Sequence, residues 1–285
     1  MRFSEDRIEK LTCSDRIQRN IHIWEPEAPR ALFLTVHGLA DHGGNYKNLG
    51  LGLKAYDFAT VSYDQHGHDL KRKAHIPRFQ VFLDDLELML SWVGENFKEL
   101  PIFLVGHSMG GLILTHYGIK QMQDHPLVKG FILSAPGYSN SLKTSGIVIL
   151  MGKLLSVIAP RMVVPLEDLR PHVTRDKEEY ERMREDEKDG IQATKISARL
   201  AAEFLKAQDW VPDHISEWKY PTLAIVPGND KLIDSEVTRT LLTKIEEGLV
   251  TELYYPDNYH ECFNETNRDE VFARILEWVE PRLGK

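Results

Sequence analysis

The run Pro101-Ile-Phe-Leu-Val-Gly106-His107-Ser108-Met109-Gly110-Gly111 passes from a short apolar segment through a glycine-framed serine into Leu112-Ile-Leu-Thr-His-Tyr-Gly118. Ile102 to Val105 has the length and composition of a strand, and the segment from Gly110 onward reads as a buried helix. Between them stands G-x-S-x-G, in which a serine is held on a sharp strand-to-helix turn. Such a turn strains the serine backbone, and glycine two places before and two places after removes side chains that would clash. The strain lifts the Ser108 hydroxyl clear of the sheet. The helix that follows aims backbone N–H groups and its positive dipole end at the same spot.

Working outward, the same rhythm recurs. Residues 16–24 alternate and read as an early antiparallel strand, closed by Pro26 and Pro29. Ala31 to Val36 is a strongly apolar strand, followed by the glycine-rich loop His37-Gly38-Leu39-Ala40-Asp41-His42-Gly43-Gly44 and a helix from Asn45. Ala59 to Tyr63 is a further strand. From Arg78 to Phe97 apolar residues fall at helical spacing, and this helix leads into the strand before Ser108. Gly130 to Ala135 is again a strand. The rhythm then stops for about 60 residues, through an apolar stretch (Ile147 to Val164), a charge run (Arg175 to Asp189) and a helical segment (Ile191 to Ala207). It resumes with a strand from Thr222 into Gly228-Asn229-Asp230, a helix through Leu242, a strand Thr251 to Tyr255, a loop holding His260 and a final helix Arg268 to Trp278.

Alternating strands and helices predict an α/β fold, a mostly parallel sheet with helices on both faces. The interruption predicts an inserted helical lid. The expected division is core residues 1–136, lid or cap 137–207 and core 208–285. Ligands of such sheets bind beyond the carboxyl ends of the strands, where Ser108, Asp230 and His260 all follow strands directly.

A serine hydroxyl is a poor nucleophile at neutral pH and needs an adjacent base that is itself oriented by an acid. Ser108, Asp230 and His260 occur in the chain order Ser, acid, His of the α/β-hydrolase triad. Asp234 and Asp257 are the rival acids, the first a helical turn further from the strand, the second too near His260 to come from a separate strand. An oxyanion hole needs two backbone N–H groups. Met109, after the nucleophile, supplies one, and Leu39 in the early glycine-rich loop is the expected second. His37 reads as a structural residue bonding that loop.

Composition removes other classes of function. Net charge is −8, from 43 acidic and 35 basic residues, with no basic stripe, so nucleic acid is not an expected partner. Cys13 and Cys262 are too few for a disulfide framework, which favours a reducing, cytoplasmic compartment. The N-terminal ten residues lack the apolar region of a signal peptide, and no run of 18 apolar residues exists to span a bilayer. His37, His42, His66 and His68 cluster on paper, but without H-E-x-x-H or zinc-type Cys/His spacing no metal is expected, and no cofactor. The charge run Arg175 to Asp189 mixes both signs at helical spacing and reads as a solvated helix face.

Taken together, these residues resemble the monoacylglycerol lipase and lysophospholipase family of serine α/β-hydrolases, over nearly the whole chain from about residue 16. The elbow Gly106-His-Ser-Met-Gly-Gly111 matches that family's G-H-S-M-G-G letter for letter. His37-Gly38 through Tyr46 is similar to its first loop, Pro221 through Asp230 to its acid strand, and Tyr259-His260-Glu261 to its base loop. The resemblance implies Ser108 as nucleophile, Asp230 as acid, His260 as base, the Leu39 and Met109 amides as oxyanion hole, and a lid where the rhythm stops. One loop departs from the family: D-x-x-G-x-G-x-S is replaced by Asp64-Gln-His-Gly67-His68-Asp69-Leu70-Lys71, which bears on substrate identity.

The function these readings imply is hydrolysis of a small-molecule carboxylic ester with an acyl chain through an acyl-enzyme. An aminopeptidase or amidase of the same fold is the alternative, since fold and triad do not determine the leaving group. It would need lid carboxylates such as Glu178, Glu179, Glu185 or Glu187 to hold a substrate amine. A non-catalytic binding module on a hydrolase scaffold is a third reading, and a complete triad argues against it. The lid stretch Ile147 to Val164 is apolar nearly all round, and roofing an acyl pocket while touching lipid surfaces peripherally is the expectation drawn from it.

Overall fold

The computed structural model describes residues 2–68, 73–123, 125–139, 152, 154–165 and 170–284. In chain order the strands are β1 (Arg7–Thr12), β2 (Gln18–Trp24), β3 (Ala31–Val36), β4 (Phe58–Tyr63), β5 (Lys73–Ala74), β6 (Ile102–His107), β7 (Val128–Ser134), β8 (Val163–Pro165), β9 (Lys195–Ser197), β10 (Thr222–Pro227) and β11 (Val250–Tyr255). The helices are α1 (Lys47–Lys54), α2 (Gln80–Asn96), α3 (Met109–Lys120), α4 (Lys177–Lys188), α5 (Ala198–His214), α6 (Ser235–Leu242) and α7 (Arg268–Val279). Eight strands form one sheet in the order β1-β2-β4-β3-β6-β7-β10-β11. β1, β2 and β4 pair antiparallel, and every pairing from β4 to β11 is parallel.

β3, β4, β6 and β10 are buried at every position, as strands must be when helices cover both faces. Successive residues point to opposite faces, and the core divides accordingly. Leu32, Leu34, Leu104, Ala224 and Val226 face the layer that contains Leu86 of α2, Leu112 of α3 and Val211 of α5. Ala31, Phe33, Phe103, Val105, Leu223 and Ile225 face the layer with Leu49 of α1 and Val271, Phe272 and Ile275 of α7.

Three features depart from expectation. β1 adds an edge strand that was not expected, because none of its residues is fully buried and no apolar face marks it. β5, β9 and β8 form a second, three-stranded sheet, whose strands of two or three residues are too short to carry a period. The helix expected to close at Ala207 begins at Ala198 and runs to His214, with Pro212 inside it. A proline so near the helix end removes a single backbone hydrogen bond, and buried Val211 keeps the turn packed. Of the apolar stretch Ile147 to Val164, residues 147–151 and Lys153 lie outside the described residues, as do Asp69, Leu70 and Lys71 of the departing loop.

The charge run forms α4, but not as a solvated face throughout. Glu179, Met183 and Asp186 are buried, at the i, i+4, i+7 spacing of a helix stripe laid against the molecule. Asp186 makes this possible by pairing with Arg182 and Arg2, each at 2.7 Å.

Candidate active site

Ser108 directly follows β6 and caps α3 with φ 52° and ψ −117°. That left-handed backbone is costly for a residue with a β-carbon and persists only where the surroundings enforce it. Here the Ser108 N–H donates to the Ser134 carbonyl on β7 at 3.0 Å, and the Ser108 carbonyl accepts from Gly137 at 2.8 Å. Two glycines make the turn possible. A β-carbon on Gly106 would stand 2.6 Å from the Gly110 backbone, and one on Gly110 would collide with the Val36 carbonyl oxygen.

The early loop lies over this turn, since a β-carbon on Gly38 would come 3.4 Å from that of Ser108. His37 holds the loop in place. The Gln65 N–H donates to its Nε2 at 3.0 Å, which leaves Nδ1 to donate to the Gly38 carbonyl at 2.8 Å. Complete burial, with His68 nearby, pushes the His37 imidazole well below its ordinary pKa, so it is neutral. Tyr46 ties the same loop to β3 through a 2.8 Å hydrogen bond to the Val36 carbonyl. Gly38, the residue before Leu39, thus lies against Ser108, and Met109 follows Ser108 as the first residue of α3.

Asp230 and His260 arrive from the loops after β10 and β11. His260 Nδ1 lies 2.7 Å from Asp230 Oδ2, while Asp230 Oδ1 accepts from the Leu232 and Ile233 N–H groups at 2.7 and 3.1 Å. Burial pushes the Asp230 carboxyl up, but His260 and the two N–H donors outweigh it and hold it below the usual carboxylate range. The rival acids are engaged elsewhere. Asp234 is the N-cap of α6, accepting from Glu236 and Val237, and Asp257 is exposed. His260 reaches the elbow through its neighbour, for its ring centroid lies 4.6 Å from that of His107.

Of the four histidines that cluster in the sequence, His37 and His68 pack edge to face, with ring centroids 5.1 Å apart, and the other two pair with carboxylates. His42 lies 3.4 Å from Asp186, and His66 lies 3.5 Å from both Asp15 and Asp85.

Sequence reasoning left unassigned a set of buried polar residues around the base loop. Glu265, fully buried, accepts from the Tyr259 N–H at 3.0 Å and from Arg175 Nε at 3.0 Å. Thr174 Oγ1 donates to the Asn264 carbonyl at 2.7 Å, and Val173 accepts from the Glu261 N–H at 2.8 Å. Residues 173–175 therefore clamp the loop that carries His260. The only signal in the sequence was the acidic residue directly after the base.

Cys262 lies two residues beyond His260 and is fully buried, and burial raises its thiol far above the ordinary value. Maleimide is therefore expected to leave Cys262 unlabelled in the native protein and to label it after denaturation. Mass spectrometry of tryptic peptides checks this, and rapid native labelling that slows ester turnover would contradict it.

A family model described as "Serine aminopeptidase, S33" (Hydrolase_4) matches residues 27–267. A phospholipase of Bacillus subtilis, YtpA, is 32% identical over 87% of this chain and 95% of its own. A monoacylglycerol lipase of Mycolicibacterium smegmatis is 25% identical over 92% of each chain. The chain spans 29% of the length of an uncharacterised abhydrolase domain-containing protein of Dictyostelium discoideum to which it is 25% identical. Among solved structures, a soluble variant of a monoglyceride lipase from Saccharomyces cerevisiae superposes with a TM-score of 0.84 at 19% identity, covering 99% of this chain and 96% of that one.

Proposed function

The chain belongs to the Hydrolase_4 (serine aminopeptidase, S33) family, and from that premise we propose that it hydrolyses carboxylic esters bearing an acyl chain, of monoacylglycerol or lysophospholipid type, at Ser108, Asp230 and His260. The observation that carries the reading is a strained serine elbow beside a base whose Nδ1 is held 2.7 Å from a buried carboxylate. Asp230 orients His260 and stabilises its imidazolium. His260 takes the Ser108 proton as Oγ attacks the ester carbonyl, and the Leu39 and Met109 amides hold the developing oxyanion. Collapse breaks the bond to the alcohol, which leaves with the proton from His260. A water then attacks the acyl-enzyme with the same base, and the free acid departs. The relatives named as a phospholipase and a monoacylglycerol lipase support a lipid ester as substrate.

The family description also names aminopeptidases, so an amide substrate is the second reading. Of the carboxylates that could hold a substrate amine, Glu179 is already paired with Arg182 at 2.7 Å, which favours the ester. Hydrolysis of p-nitrophenyl esters beside amino-acid p-nitroanilides tests the choice. Turnover of the anilides alone would replace the ester reading.

Residues 137–207 form, in this proposal, the cap over the site. Residues 154–158 are helical, and Leu154, Val157, Ile158, Met162 and Val163 are exposed, Ile158 at 72% of its surface. Five exposed apolar side chains within ten residues suit a lipid interface. No described helix is long and apolar enough to cross a membrane, so the proposed contact is peripheral, from a cytoplasmic location consistent with two free, buried cysteines.

Each acyl methylene buried under the cap contributes about 0.8 kcal/mol, about a fourfold rise in kcat/KM. The expected result is a climb from acetyl to octanoyl esters. Val157→Asp with Ile158→Asp should leave hydrolysis of soluble acetyl esters unchanged and reduce that of vesicle-borne monoacylglycerol. A wild-type preference for acetyl over octanoyl esters would rule out the acyl pocket.

A further inference from the structure

Directly behind the elbow, His107 and Glu261 occupy the positions just before the nucleophile and just after the base. His107 Nε2 lies 3.1 Å from Glu261 Oε1, with 3% and 12% of the two side chains exposed. The other ring nitrogen of His107 faces Ser134 Oγ at 3.4 Å. The ring itself packs edge-on against His260, at 61° between planes. One imidazole therefore sits between the backbone that presents Ser108 and the ring that must accept its proton.

We propose that Glu261 and His107 are a positioning pair, in which the Glu261 carboxylate holds the imidazole that sets the spacing between the nucleophile elbow and the base. The proposal rests on the reading of Ser108, Asp230 and His260 as the catalytic set. Three features of the surroundings fit it.

First, His107 ends β6 while Glu261 lies in the loop after β11, and the pair is a direct link between their side chains. Main-chain bonds of the elbow run instead to β7 and to Gly137. Second, the pair is anchored from behind. Asn264 Nδ2 donates at 3.3 Å both to Glu261 Oε2 and to Asn45 Oδ1, and Asn45 Oδ1 also accepts from Arg182 of α4. The carboxylate is therefore fixed relative to the oxyanion loop as well as to the elbow.

Third, the charges are matched. Among the described residues, Asp41 and His42 of the oxyanion loop, Tyr46, Asp230, His260, Cys262 and Arg182 are charged or titratable groups around the pair. Burial alone would neutralise His107, but Glu261, with Asp41 and Asp230, outweighs it and raises the imidazole above its ordinary range. Burial likewise opposes ionisation of Glu261, yet His107, with His260 and Arg182, holds it below the carboxylate range. Asp41 shifts the opposite way, pushed up by burial and by the Glu261 charge. A buried pair so placed constrains geometry more than it adds stability.

Glu261→Gln keeps the shape and removes the charge, and His107→Gln removes the ring. Each is expected to lower kcat about 10- to 100-fold, because misplacement of a catalytic group by about 1 Å can cost about 100-fold, with KM within about twofold of wild type. The double variant should cost no more than the worse single one, since the two act as a unit. Glu261→Asp should recover part of the loss. A purely structural pair would instead lower the melting temperature and leave kcat unchanged, and folded single variants with wild-type kcat overturn the proposal. Ser108→Ala in the same assay separates the readings. If it is inactive while both glutamine variants are fully active, only the pair is wrong. If it retains turnover, the catalytic set and the pair fall together. Should the variants not fold, imidazole 15N spectra of the wild-type protein give the answer. A His107 ring that titrates above free imidazole supports the pair, and one that stays neutral into mildly acidic solution overturns it.

Discussion

Ser108→Ala is expected to lower kcat on p-nitrophenyl esters by a factor on the order of 10^5 to 10^6 while the protein melts within a few degrees of wild type. The change removes one hydroxyl and no buried apolar volume. Alanine meets the same penalty as serine at φ 52°, because that penalty comes from the β-carbon, and the glycines on either side are untouched. The main-chain bonds from Ser108 to Ser134 and Gly137 remain. Folding therefore has nothing new to oppose it, while the reaction has lost the atom to which the acyl group is transferred. An organophosphonate should correspondingly label Ser108 in the wild type and leave the variant unmodified. Substantial residual activity in a folded Ser108→Ala protein would refute the assignment of the nucleophile.

The second large effect is expected at the acid. Asp230→Asn keeps the side-chain volume and an oxygen able to accept from Leu232 and Ile233, but a neutral amide cannot orient the imidazole or balance its developing charge. A loss of about 10^4 in kcat follows if the wrong tautomer is stabilised. The folded-state pKa of Asp230 lies below the ordinary aspartate value of about 3.9. Its ionisation therefore contributes stability that is present above that value and is lost only as pH falls through the lower, folded one. Its protonation does not shape the rate profile above about pH 4. Asp234→Asn should be mild, because asparagine caps a helix as well as aspartate does, and exposed Asp257→Asn should be mild also. A loss at Asp257 comparable to that expected at Asp230 would mean that the acid had been misassigned.

How much was legible in the chain follows from the range over which each signal acts. β3, β6 and β10 declared themselves because strands buried on both faces must be apolar at every position, and α2 and α7 because a helix facing a sheet repeats its apolar residues at a fixed period. The elbow was readable for a different reason. Gly106 answers a steric demand within a few residues, against the Gly110 backbone, and that part of the requirement is written locally, whereas Gly110 answers the close approach of β3 at Val36. β1, with no buried face, and β5, β8 and β9, two or three residues long, carry no period to read.

α4 shows where reading by composition fails. A run rich in both charges predicts a solvated helix, and its outer residues are exposed. Arg182 and Asp186, however, find partners in Asn45, Arg2 and His42, residues distant in sequence, and a buried charge is tolerable only when such partners exist. The chain by itself therefore determined the alternation of strands and helices, the strained serine turn and the order Ser108, Asp230, His260, because backbone sterics and hydrophobic periodicity act between near neighbours. The tertiary structure alone decided that Asp230 lies against His260, that Asp234 is occupied as a helix cap, and that Glu261 faces His107 at the end of β6, because ion pairs and hydrogen bonds depend on proximity in space, which sequence spacing does not encode.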